Sequence, residues 1–434
     1  MTSWVLIDLL IILIVARLAG GLSVKLGQPR VLGEIVAGVL LGPTVMGNAW
    51  ATPWSFLPCE PGNATLTTCL FPPEAKSALG SIGSVALLLF MFLVGLSLPV
   101  GALKGRNRQV GLVAGFVLAT PLAGGFVLVV SGVLKPETFQ GPSGGDLAFA
   151  VFTGAMLAVT AFPVMARILQ EMGLETTDMA IVGIAAAAVT TIGMFLMSST
   201  AVTIAASSSP LPNIMLKYVL VAIYVGGFMV LLPKILQRFT ERHRAAGKLT
   251  PELFAVVFIV LFASGVIADR LGINVIVGGF IAGVALPDRA KISKELSAQL
   301  GLFVNVVLLP VFLAFSGLNT DFRLLKPAAL VGLIAFIVMS VLVKLPAGAV
   351  GARLGGLSWQ EGALVGSLMN CRGLLVLVVA IQGVESGLIS PTMQLCGVVA
   401  ALVTTAMTGP LVERFAVEPT SEPDAPEVVA APSL

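Results

Sequence analysis

Four basic residues stand inside long apolar stretches of this chain: Arg17, Lys217, Lys344 and Arg372. A charge at that depth is costly unless it is paired, hydrogen-bonded or functional. Two of them invite chemistry. Arg372 lies in Asn370-Cys371-Arg372-Gly373, where a glycine beside a charge interrupts an otherwise apolar run. Such an interruption suggests unwinding around a cavity. A second interruption, Thr160-Ala161-Phe162-Pro163, carries a proline. Pro163 removes a backbone donor and crowds the preceding turn. These groups can hold and orient a small ion or polar molecule. They resemble no nucleophile–base pair, metal cluster or phosphate loop. The lone histidine, His243, falls in a basic loop, which argues against a histidine proton relay.

The elements that position these residues are membrane spans. The chain has 434 residues, 57% hydrophobic and 11% charged, against about 25% charged in ordinary soluble domains. The mean hydropathy is +1.02. These values exclude a soluble enzyme and indicate one polytopic all-α membrane domain. With about 20 apolar residues per span, thirteen spans are predicted, near 5–25, 32–47, 78–99, 110–133, 147–168, 178–204, 213–236, 251–267, 272–287, 300–316, 327–350, 361–383 and 391–413. The first lacks a basic flank and contains Asp8, so it is no cleavable signal.

Placing the N-terminus outside puts sixteen Lys and Arg on inside segments, five on outside segments and four within spans. This bias predicts an N-out, C-in protein of the plasma membrane. Cys59 and Cys69 share the outside loop 48–77, where an oxidising face permits a disulfide. Cys371 and Cys396 read as reduced packing residues within spans. Residues 415–434 are Pro-rich and acidic, and a disordered cytosolic tail is expected. No long cytosolic domain, and so no nucleotide-sensing module, is expected after the last span.

Residues 34–43 read EIVAGVLLGP and 279–287 read GFIAGVALP; FLVGL at 92–96 is echoed by AFSGL at 314–318. The paired stretches lie in spans of opposite direction. An inverted repeat follows, with a first repeat about 5–204, a linker helix 213–236 and a second repeat about 251–413, all within a transmembrane unit 1–414. Inverted repeats are a common plan of secondary transporters. The two interruptions occupy matching places in the two halves, which favours a crossed pair of broken helices.

At these residues the chain resembles the monovalent cation:proton antiporter-2 superfamily, of the Kef-type and plant cation exchanger kind. The likeness rests on GQPRVLGEIVAGVLLGP (27–43), LLLFMFLVGLSL (87–98), VTAFPVMARIL (159–169), GGFIAGVALP (278–287), LLPVFLAFSGLNT (308–320) and NCRGLL (370–375). It implies a core of two crossed broken helices, a dimerisation panel, an elevator-like motion and a homodimer. It also implies an ion-binding acidic pair in span 6, which aligns here with Thr190 and Thr191. No acid occurs between Asp178 and Glu241. Val376 occupies the place of a glutamate in the plant-type pattern. Lys344 and Arg372 match the family's basic residues.

The candidate ion- or substrate-binding residues are therefore Thr160, Thr190, Thr191, Asn370, Arg372 and Lys344. No catalytic residue, metal site, cofactor or nucleic-acid partner is assigned. A carboxylate can hold either a cation or a proton, and a threonine has no proton to exchange near neutrality. Three readings stay open. The first is a secondary transporter exchanging a monovalent cation for a proton through an atypical, carboxylate-free site. The second is a transporter of a small organic anion or metabolite, drawn by an electropositive core. The third is a membrane-embedded enzyme or binding protein on the same fold. In the second, Arg372 and Lys344 attract the ligand; otherwise Arg372 neutralises half-helix carbonyls and Lys344 snorkels toward water.

Overall fold

The computed structural model describes residues 2–28, 30–46, 67, 70–97, 105–162, 165, 169, 174, 177–207, 210–246, 250–286, 289–318, 320, 322–373 and 375–415. Cys59 and Cys69, and the tail from 416, lie outside these residues. Among the described residues the protein is all-helical, with one isolated bridge between Gln140 and Ile389. Among the described residues nine helices are long and apolar enough to cross a membrane, and four shorter apolar helices stand among them.

Six helices form one group: α1 (Thr2–Lys25), α2 (Arg30–Leu41), α3 (Pro73–Ser97), α8 (Pro251–Arg270), α9 (Val275–Ala285) and α10. The last of these runs through Arg289–Phe303, a π-helical step Val304–Leu308, and Leu309–Leu318. The π step widens the hydrogen-bond ladder, and Arg17 of α1 donates through Nη2 to Val306 O at 2.8 Å. The deep Arg17 thus ends on a backbone carbonyl.

A second group shares an apolar core with the first, through Ile35, Leu87 and Phe280 among others, and has its densest contacts within itself: α4 (Asn107–Val130), α5 (Asp146–Ala158), α6 (Asp178–Ala206), α11 (Pro327–Leu354), α12 (Trp359–Met369), α13 (Leu375–Glu385) and α14 (Pro391–Phe415). Between the groups, α7 (Pro210–Ala246) touches α6 on one side and α8 and α9 on the other. Outward faces are apolar: Leu10 is 59% and Leu18 71% exposed on α1. A stripe of this kind suits lipid rather than water.

Glycines from the repeated motifs make the close crossings. A Cβ on Gly38 of α2 would stand 2.1 Å from Ala314 O of α10, and one on Gly317 would meet Val39 N at 2.6 Å. The same exchange joins α9 to α3: a Cβ on Gly283 would meet Phe92 O at 2.2 Å, and one on Gly95 would meet Phe280 O at 2.4 Å. Within the second group, Gly125 and Gly154 let α4 meet α5, and Gly348 and Gly366 let α11 meet α12. Helices in lipid gain little from apolar burial, so backbone-to-backbone approach supplies their packing energy.

Two polar anchors hold α7. Lys217 Nζ donates to Ser199 Oγ at 2.9 Å and Thr203 Oγ1 at 2.6 Å, both on α6. Two turns on, Tyr224 Oη lies 2.6 Å from Ser264 Oγ of α8, which donates to Gly278 O of α9 at 2.7 Å. Lys217→Met is expected to lower thermal stability in detergent by about 1.5–3 kcal/mol, the range for charge-assisted bonds. Tyr224→Phe leaves the Ser264–Gly278 bond in place and should cost about 1 kcal/mol. Equal melting shifts for the two variants would contradict this ranking.

Candidate functional site

Helix α5 ends at Ala158, and Val159 leaves helical geometry with ψ 129°. The sequence explains the stop: Pro163 has no N–H for the carbonyl four residues back, that of Val159. A helix C-terminus carries unpaired carbonyls and the negative end of the helix dipole. Here two buried cations meet them. Lys344 Nζ of α11 donates to Ala158 O at 3.1 Å, to Val159 O, and to Thr160 Oγ1 at 2.7 Å. Arg372 donates through Nη1 to Met156 O at 2.7 Å and through Nη2 to Ser340 O at 3.1 Å. Both side chains have no exposed surface.

The second break meets the first. Helix α12 is started by a capping box between Ser358 and Glu361 and stops at Asn370. Cys371 O then accepts from Ala161 N at 2.7 Å, which ties the two interruptions together. Gly373 takes φ +47°, a value that glycine tolerates and other residues resist, and its N–H donates to Thr405 Oγ1 at 3.1 Å. Helix α13 begins at Leu375. Asn370 is wholly buried, and neither its Oδ1 nor its Nδ2 has a partner. Arg372 Nε and Ser340 Oγ are also buried and unpartnered.

This geometry has counterparts in known proteins. The family model for the transmembrane sodium/hydrogen exchanger matches residues 10–417. The chain belongs to the sodium/hydrogen exchanger family. It is 30% identical to the Na(+)/H(+) antiporter NhaS4 of Synechocystis over 95% of this chain and 97% of that one. It is 30% identical to K(+)/H(+) antiporter 1 of Saccharomyces cerevisiae, covering 89% of this chain and 43% of that one. For Cation/H(+) antiporter 19 of Arabidopsis thaliana the values are 29%, 94% and 49%. The chain thus spans less than half the length of these yeast and plant relatives. The solved sodium proton antiporter MjNhaP1 of Methanocaldococcus jannaschii superposes with a TM-score of 0.61 at 16% identity, covering 93% of this chain and 94% of that one, so the fold is shared.

In this member of the exchanger family, four of the six candidate residues gather at the crossing: Thr160, Lys344, Asn370 and Arg372. Thr190 and Thr191 do not bond to them. Each hydroxyl donates back to Ala187 O of its own helix, at 2.9 and 2.8 Å. Val376 is buried on α13. Lys344 does not snorkel, for its ammonium ends on α5. Lys344 spends three donors and Arg372 two on protein oxygens, while Arg372 Nε stays unbonded. Among the described residues only Asp8 and Glu34 are buried acids, and both lie in the α1–α2 group. No group of three His, Cys, Asp or Glu able to hold a metal occurs among them. Sequence reasoning missed Ser340 and the carbonyls of Met156, Ala158 and Val159. Ser340 stands one turn before Lys344, a spacing that would have placed it on the same face. The carbonyls leave no mark in a sequence.

Proposed function

We propose that this protein is a secondary transporter exchanging a monovalent cation for a proton at the crossing of α5 with α12 and α13. The observation that carries the reading is a buried, all-oxygen donor set at a half-helix C-terminus, occupied by a monovalent positive group. Half-helix C-terminal ends and unwound carbonyls are the usual cation ligands of such transporters. The relatives' names, as sodium, potassium or cation antiporters, support the same cargo. The organic-anion reading draws less support from this site, because Lys344 and both terminal nitrogens of Arg372 already donate to protein oxygens, leaving Arg372 Nε and Asn370 Nδ2 as the buried free donors.

The working unit in this proposal is a homodimer in the plasma membrane, N-terminus outside and C-terminus inside. The two halves, about 5–204 and 251–413, are inverted repeats joined by the helix 213–236. The matching glycine crossings, Gly38 with Gly317 and Gly283 with Gly95, support that division. The group containing α5 and α12 moves against the group containing α1 to α3 and α8 to α10, with α7 between.

Purified protein in liposomes tests the cargo. An acid-inside gradient should collapse when sodium or potassium is added outside, and the collapse should require the protein. No response to sodium, potassium or lithium between pH 5 and 9 would end this reading. Saturable uptake of a labelled dicarboxylate under the same conditions would replace it with the anion reading.

A further inference from the structure

One buried charge plays no part in the crossing. Asp8 of α1 has no exposed surface, and neither of its carboxylate oxygens has a hydrogen-bond partner. An unpaired carboxylate is among the costliest groups to bury. We infer that Asp8 anchors a second monovalent-cation site, set among α1, α2, α3 and α10 rather than at the crossing. It stands apart from the exchange proposed above, since it concerns binding between helices that the crossing does not use.

Three observations lead there. The first is position. Asp8 shares a helix face with Ile12, one turn on. Ile12 packs in one apolar cluster with Leu41 of α2, Leu79 of α3 and Leu318 of α10. A Cβ on Gly33 would meet Ala19 O at 2.2 Å, which fixes the register of the antiparallel α1 and α2. Asp8 precedes Ala19 by eleven residues and Thr44 follows Gly33 by eleven, so the acid stands level with Thr44, just past the end of α2. Thr44 Oγ1 donates to Thr320 O at 3.1 Å, just past the end of α10. Asp8 is therefore level with the C-termini of two helices.

The second is the sign of the surroundings. Helix C-termini present unpaired carbonyls and the negative end of the dipole. At the end of α2, Leu41 O and Gly42 O share the Thr67 hydroxyl, at 3.4 and 3.3 Å. A carboxylate here adds negative charge to negative ends.

The third is the lack of a protein counter-ion. Two basic residues reach this level among the described residues: Lys76 of α3, one turn before the contact of Gly80 with Phe315, and the exposed Arg323 after α10. Neither pairs with Asp8, and the salt bridge among the described residues joins Arg106 to Asp178 instead. Farther along α1, Arg17 is spent on Val306 O, and Arg30 and Glu34 of α2 lie beside Gly20. From Leu309 to Leu318, α10 carries no charge. Oxygen ligands suit hard cations, and a single carboxylate balances one charge, so the ligand class is a monovalent alkali cation. Bound there, it pairs Asp8, offsets the two helix ends and holds α1 against α2 and α10.

Equilibrium binding of labelled sodium and thermal unfolding, both in detergent, test the site. Asp8→Asn keeps the shape and removes the charge. It should bind about one sodium ion fewer per chain than wild type, as the loss of a single site requires. Without alkali cations it should melt above wild type, because an unpaired buried charge is gone. In saturating sodium chloride the order should reverse, because a bound ion stabilises only the protein that keeps its site. Asp8→Leu, suited to the apolar cluster beside it, gives the same readings where the amide prevents folding. Lys76→Met should bind as many ions as wild type and show no such crossover. An unchanged ion count in Asp8→Asn, or a melting point above wild type at every sodium concentration, would overturn the site. So would the loss of all bound sodium in Asp8→Asn, which would put Asp8 on the path of a transported ion. An equal loss in Lys76→Met would make Lys76 the counter-ion and overturn it too. Stabilisation of wild type by magnesium or calcium chloride, with none from sodium, potassium or lithium chloride, would overturn the monovalent assignment.

Discussion

Gly38→Ala and Gly283→Ala should each unseat a helix crossing, whereas Gly226→Ala should leave the protein as stable as before or slightly more so. The contrast lies in what the added methyl meets. At Gly38 it would stand 2.1 Å from Ala314 O and 2.7 Å from Ala314 C, and at Gly283 2.2 Å from Phe92 O. These are backbone atoms inside helices, with no rotamer to yield. The helices must part, and α2 then loses contact with α10, or α9 with α3. The cost should reach the roughly 3 kcal/mol upper range of overpacking. At Gly226 of α7 a Cβ meets nothing within 4 Å. There alanine adds helix propensity, worth up to about 1 kcal/mol. Thermal unfolding of the three detergent-solubilised variants reads the difference. A Gly38→Ala protein melting with wild type would mean that α2 and α10 do not cross as described.

Arg372→Met should be nearly as damaging, for an electrostatic reason. Methionine fills most of the volume and spares the protein the desolvation of a guanidinium. It also strips donors from Met156 O, at the end of α5, and from Ser340 O on α11. A buried carbonyl left without its donor costs about 1–3 kcal/mol, and two are orphaned here, so a net loss of about 2–3 kcal/mol is expected after the desolvation saved. Arg372→Lys should recover part of it. An ammonium is a point donor on a flexible stem and does not reproduce a planar fork bonded to two carbonyls. Melting temperatures ordered wild type, Arg372→Lys, Arg372→Met check this. An unchanged melting point in Arg372→Met would say that the guanidinium serves a ligand instead of the fold.

The helix breaks were legible because their causes are local. Pro163 withholds one N–H from the residue four back, and Asn370-Cys371-Arg372-Gly373 puts polarity and a φ-positive glycine into an apolar run. Apolar runs marked the spans, and the helix end at Ala158 falls inside the 147–168 run, since hydropathy does not register a missing hydrogen bond. The repeated Ala-Gly-Val and Gly-Leu stretches announced close packing without saying what each glycine faces.

The destination of the cations was not legible. Lys344 and Arg372 stood out as costly, but their acceptors lie 186 and 216 residues away in Ala158 and Met156. Those acceptors are main-chain carbonyls, which every residue possesses, so no side-chain type points to them. Thr190 and Thr191 show the reverse case. Family resemblance put them at the ion-binding position, while the folded helix turns both hydroxyls onto Ala187 O. By itself the sequence determined a membrane protein with two interrupted helices, because composition and local backbone chemistry are enough for that. Only the tertiary structure decided that the surviving cations close the end of α5, because a helix terminus acquires its partners from whatever the fold brings beside it.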